Sequence, residues 1–271
     1  MKQFHLILLT ATLFLTSCSG ATQQNDPVPE HQSFTISSKK VGEERTINVW
    51  TPDNYSTGSD SLMVLYMPDG GIQEDFPHIA NTLNDLIKAN KIPALILVGI
   101  ENTERRRDLT GPTSVETDKE IAPVVGGSEA FRAFINDELI PEINKRYRTT
   151  SKKGIIGESA AGLFVTETFL LKPEMFDFYI AFDPSLWWND KYLVKTAGEH
   201  LAKFPDDKKT FWFAGSGAKD ISASVRKLSD ILKTNQAGNI KWEYADEKKE
   251  KHNTIFRATK EKAIIWTLNN L

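Results

Sequence analysis

KKGIIGESAAGLFVTETFLL, residues 152–171, decides how the rest of the chain is read. A short apolar strand over 153–157 runs into Gly157-Glu158-Ser159-Ala160-Ala161-Gly162. An apolar-periodic helix follows over 160–171, ended by Pro173. A serine between small residues at a strand-to-helix turn has the pattern of a nucleophile elbow. The small neighbours let a strained turn close and hold the hydroxyl above the end of the sheet. The helix start adds backbone N–H donors and positive dipole where a negative oxygen would form, which marks the Ala160 N–H as one candidate oxyanion donor. One position departs from the pattern: the last glycine is Ala161, with Gly162 behind it. An ordinary N-cap serine gives the same pentapeptide, so the reading rests on the strand and helix around it.

Outward from this turn, short apolar runs alternate with helical patterns, the signature of an α/β domain with a mainly parallel sheet covered by helices. Strands are expected at 34–38 and 45–50, close enough for an antiparallel hairpin, then at 62–67, 94–100, 178–182, 210–214 and 240–244. LMVLYM, 62–67, is continuously apolar, as a strand buried on both faces should be. Helices are expected over 77–89, from Ser128 onward, and over 191–203, 221–234 and 254–269. The stretch 101–127 is polar, aperiodic and long for a plain loop.

A serine hydroxyl needs a base, normally a histidine held by a carboxylate. Of five histidines, His5 and His31 precede the domain and His200 sits at the polar end of a helix. His78 begins the helix after the 62–67 strand and is the only rival. His252 follows the last strand and precedes the last helix, and is the expected base. The acid should fall between nucleophile and base in the chain. Asp220, after the turn-rich Gly215-Ser216-Gly217-Ala218-Lys219, is favoured, although it would also cap the helix behind it; Asp183 is the alternative.

The chain has 271 residues, 40% hydrophobic and 25% charged, with a formal net charge of -3. One domain is expected, and no basic surplus suggests a nucleic-acid partner. Lys2, the apolar run to Leu15 and Leu15-Thr16-Ser17-Cys18 read as a signal peptide (1–17) ending at a lipoprotein-type cysteine. Cys18 is the chain's single cysteine and the expected lipidation site, anchoring an exported protein to a membrane. Residues 18–32, rich in Gln, Asn, Pro and Ser, are expected as a flexible tether, and 33–271 as the domain.

A second oxyanion donor is expected from the loop after 62–67, Pro68-Asp69-Gly70-Gly71, where glycine lets backbone approach substrate. LMVLYMPDGG (62–71), VGIENTERRRDLT (98–110), GESAAGLF (157–164), DPSLWWND (183–190) and EKHN (250–253), in this order, resemble one esterase family. That family includes esterase D, enterochelin-type siderophore esterases, feruloyl esterase domains and mycolyltransferases. The resemblance covers the chain from about residue 34 to its end. It implies an α/β-hydrolase fold, no metal and no cofactor, Ser159 and His252 in their family roles, and Gly71 and Ala160 as the oxyanion donors. Glu158 stands where the siderophore-esterase branch often has histidine, and Asp183 where the family often has serine.

Arg105 and Arg107 are candidates to bind an acidic or polar substrate group, with internal pairing to Asp108 the alternative for Arg107 and a structural role favoured for Arg106. Trp187 and Trp188 are candidates to wall an acyl or aromatic pocket. The expected chemistry is hydrolysis of a small or medium carboxylic ester, such as a siderophore lactone or a feruloyl or acetyl ester on a glycan. An acyltransferase and a non-catalytic binding lipoprotein are the competing readings.

Overall fold

The computed structural model describes residues 26–235 and 238–271. Its centre is an eight-stranded sheet of order β1-β2-β4-β3-β5-β6-β7-β8. The strands are β1 (Gln32–Ser37), β2 (Glu44–Trp50), β3 (Leu62–Pro68), β4 (Leu95–Ile100), β5 (Thr149–Glu158), β6 (Phe178–Phe182), β7 (Lys209–Ser216) and β8 (Ile240–Glu247). β1 and β2 form the antiparallel hairpin and β2 meets β4 antiparallel. The pairs from β4 to β8 are parallel. Every residue of β4, β6 and β7 is buried, as continuous apolar runs must be when helices cover both faces.

The helices divide between those faces. α1 (Phe76–Lys88) and α9 (Ile255–Leu268) pack on one, with Leu65, Met67, Leu97, Phe182 and Trp212 between them and the sheet. On the other lie α4 (Ser128–Phe134), which continues through a π-turn into α5 (Ile140–Arg146), then α6 (Ala160–Leu171), α7 (Trp188–Leu201) and α8 (Lys219–Asn235). All ten residues from Ala161 to Leu170 of α6 are buried, as expected of a helix sealed inside a layer, with Glu167 among them paired to Arg132.

The 101–127 stretch is more ordered than its composition suggests. It carries α2 (Arg105–Leu109) and α3 (Glu116–Ile121). Side chains supply the order: Arg45, buried beneath it, bonds Asp108, and Arg107 bridges Asp108 (2.8 Å) and Glu43 (2.5 Å). Local periodicity carries no trace of partners more than 60 residues away in sequence.

Cys18 and most of the expected signal and tether lie outside the described residues. From Asp26 the chain already touches the domain: Asp26 pairs with Arg257 at 2.5 Å, Asn81 donates to the Pro27 carbonyl, and the His31 ring meets Phe76 edge-on. No helix among the described residues is long and apolar enough to cross a membrane.

Candidate active site

β5 ends at Glu158 and α6 begins at Ala160, leaving Ser159 alone at the corner with φ 60° and ψ -116°. For a residue with a Cβ this is strained backbone, and its surroundings hold it: the Ser159 N–H donates to the Phe182 carbonyl (3.0 Å), and its carbonyl accepts from Leu163 and Ser185. Gly157 explains the small-residue pattern. A Cβ there would lie 2.7 Å from the backbone and Cβ of Ala161, so the methyl at the departing position fills the space the glycine leaves.

Ser159 Oγ stands 3.0 Å from His252 Nε2, and His252 Nδ1 stands 2.7 Å from Asp183 Oδ2. The carboxylate next to the ring is therefore Asp183, and the expectation of Asp220 is corrected. β6 lies beside β5, and Asp183 follows its last residue with φ 42°. The Asp183 side chain is fully buried and also accepts from the Ser216 N–H (2.8 Å) and Ser216 hydroxyl (2.7 Å) at the end of β7. Asp220 misses the ring because β7 continues to Ser216 and α8 starts three residues later. That places Asp220 in the helix's first turn, exposed, where its charge suits the helix dipole and contributes to His252 only at a distance. Ser216 was not singled out by the sequence, since a serine before glycine in a turn carries no signal of its partner.

The hydrogen bond that His252 donates to Asp183 is the main cause holding the ring above the ordinary histidine range, with burial opposing it and Glu158 adding to it. A partner at Nδ1 also fixes the tautomer, leaving the Nε2 lone pair toward Ser159. The rival His78 is removed from the site. It is buried against Phe256 with neither ring nitrogen hydrogen-bonded, and burial pushes it down to about 3.

The Ala160 N–H heads α6, where a helix offers it no internal partner. The β3 loop reaches the same edge because Gly70 crosses β4 in contact: a Cβ on it would fall 2.3 Å from Gly99 Cα. The Gly71 N–H, however, donates to Glu74 Oε2 at 2.7 Å. Glu74 Oε1 accepts from Asn102 (2.8 Å), and Asn102 also bonds Asp69 (2.6 Å). Burial, against the Gly71 and Asn102 bonds, raises Glu74 above the usual carboxylate range. Glu74 was not anticipated; its return bond depends on a tight turn in which its own N–H donates to the Gly71 carbonyl.

The remaining candidates separate. Arg105 is bound by Asp69 through two bonds, 2.6 and 2.7 Å, beside the site and half-buried. Arg107 is corrected: its fork is taken up by Asp108 and Glu43, so it pins the loop. Arg106 bonds the Ile121 carbonyl at the surface. Trp188 is buried, donates to the Gly111 carbonyl (3.0 Å) and meets Trp187 edge-on. It walls a cavity of about 510 Å³ beside α6, with Leu163, Leu186, Tyr192 and the Arg132–Glu167 pair. Neither Ser159 nor His252 lines that cavity, and Trp187 does not either.

Three comparisons bear on this geometry. The protein is 39% identical over 120 residues to the ferri-bacillibactin esterase BesA of Bacillus subtilis, covering 40% of this chain and 42% of that one. It is 30% identical over 190 residues to a siderophore triacetylfusarinine C esterase of Aspergillus fumigatus, covering 63% and 61%. The chain thus spans about two fifths to three fifths of the length of these relatives. Among solved structures, an IroE-like serine hydrolase from Shewanella oneidensis superposes with a TM-score of 0.82 at 24% identity, over 89% of this chain and 81% of that one. A siderophore hydrolase, EstB, from Aspergillus nidulans gives 0.76 at 18%, over 90% and 96%. At these identities the superpositions speak for the fold, which is that of the α/β-hydrolase-like esterases. The sequence profile of the family described as "Putative esterase" matches residues 38–266, nearly the whole domain, and the chain belongs to that family.

Proposed function

We propose that the protein is a serine carboxylic-ester hydrolase working through an acyl-enzyme. The observation that carries this reading is the relay from Ser159 through His252 to Asp183, at 3.0 and 2.7 Å, built on a serine held in strained backbone. His252 Nε2 takes the hydroxyl proton as Oγ attacks the ester carbonyl. The Ala160 N–H and, after Glu74 yields it, the Gly71 N–H hold the oxyanion. The proton on Nε2 then passes to the departing alkoxide oxygen as the C–O bond breaks. Water repeats the sequence on the acyl-enzyme and releases the acid.

The substrate class we favour is an ester of siderophore type. The names of the two relatives, both siderophore esterases, support it. Export with a lipid anchor at Cys18 belongs to the same proposal and is carried by the N-terminal sequence.

The protein and its Ser159→Ala variant are compared on p-nitrophenyl acetate and butyrate, with a fluorophosphonate probe and a siderophore trilactone. Wild type is expected to label and turn over, and the variant to do neither. A folded wild type that neither labels nor turns over would sink the hydrolase reading in favour of a binding lipoprotein. Turnover of the simple esters without the trilactone would sink only the substrate class.

A further inference from the structure

Glu158 is the last residue of β5, directly before Ser159. Its side chain is 19% exposed, and its Oε1 lies 3.6 Å from His252 Nε2, the nitrogen that also faces the Ser159 hydroxyl. The imidazole is thus bracketed by two carboxyl groups, Asp183 at Nδ1 and Glu158 at Nε2.

The charged groups facing Glu158 come from three loops or helices. Asp69 and Asp75 stand between β3 and α1, Arg105 heads α2, and His252 precedes α9. Arg105 is already matched by Asp69 through both bonds of its fork. Of the cationic partners left to Glu158 among the described residues, the imidazolium is the one within 4 Å. Asp183 and the more distant Asp220 face the same ring.

We propose that Glu158 is a positioning residue for His252, holding the imidazolium from the Nε2 side while Asp183 holds it from the Nδ1 side. The inference rests on the serine-hydrolase reading and adds to it a residue outside the triad. In acylation the Oγ–H bond breaks, Nε2–H forms and the ring becomes cationic. A Glu158 carboxylate beside that proton lowers the energy of the ion pair without itself gaining or losing a proton. The neutral acid does this poorly, and burial pushes Glu158 up to about 8, so its help arrives only as that carboxyl ionises. The two groups titrate as a pair across neutral and mildly alkaline pH.

The test follows the rate of fluorophosphonate labelling from acid to alkaline pH in the full-length wild type and in Glu158→Gln, which keeps shape and removes the charge. Wild type should climb in two stages, as His252 loses its proton and again near pH 8. Glu158→Gln should climb once, at a pH lower by up to about one unit, and level off roughly 3–10-fold below wild type. Superimposable profiles overturn the proposal. A second readout needs no variant: the His252 ring signals in the wild-type NMR titration should show a further inflection near pH 8. A single inflection overturns it. A folded wild type that fails to label defeats the hydrolase reading instead, and the ring titration still decides whether Glu158 acts on His252.

Discussion

Three donors converge on the Asp183 carboxylate: the Ser216 N–H, the Ser216 hydroxyl and the His252 ring. A buried carboxylate held on three sides cannot rotate away, so it fixes the imidazole more firmly than an exposed residue in a helix's first turn. Asp183→Asn should therefore lower kcat on p-nitrophenyl butyrate by about 10³–10⁴-fold. Asp220→Asn should stay within about threefold, since at the surface its field is screened by solvent. Steady-state kinetics of the two variants checks the assignment, and the reverse ranking would restore Asp220. Ser159 and His252 were legible in the sequence because each sits at a fixed junction of strand and helix. The carboxylate beside the His252 ring was not, because both Asp183 and Asp220 follow strands at the same edge. What separates them is the end of β7 and the bond from Ser216, which are tertiary facts.

At the scale of elements, the turn between β5 and α6 is a packing problem before it is a chemical one. Ala161 fills the space over Gly157, and Gly162 lies where a Cβ would be 2.9 Å from the Phe182 carbonyl oxygen. Gly157→Ala would force a methyl against the backbone and Cβ of Ala161, so the elbow should shift; a loss of about 1–3 kcal/mol in denaturant unfolding is expected. Labelling of Ser159 should fall with it, because the displaced turn carries the hydroxyl away from Nε2. The strands and helices themselves were readable from apolar runs and periodicity, since a parallel sheet sealed on both faces writes itself as continuous hydrophobic segments. The short helices α2 and α3 were not, because α2 is held by Arg45, Asp108 and Glu43 and α3 by the bonds of Thr113 and Asn189 to Asp118, partners that only the tertiary fold brings together.

Over the whole molecule, several buried groups make stability depend on pH. Burial raises Glu158 from 4.5 to about 8 and Asp75 from 3.8 to about 7. A raised carboxyl favours the neutral form in the folded state, so its contribution is complete below the unfolded value and is lost as pH rises through the folded one. His252, also raised, acts in the same direction. His78 is depressed from 6.5 to about 3, so its contribution is complete above its unfolded value and adds no slope in alkali. Thermal melts should accordingly show Tm falling by a few °C between about pH 6.5, above which His78 no longer opposes, and about pH 8, then levelling off, with a shallower fall in Glu158→Gln. A flat wild-type curve would mean these carboxyls are better solvated than their burial implies.

The bond from Gly71 to Glu74 has a consequence for which molecules the protein accepts. On the esterase reading, one donor of the oxyanion hole already has an occupant built into the chain, tethered and present at high local concentration. An incoming carbonyl competes with it, and apparent affinity falls by the fraction of molecules in which the hole stands open. A minimal ester has little with which to win that competition. A large, multiply contacting one can evict Glu74 with binding energy gathered elsewhere, so size and valency in the substrate become a means of selection in themselves.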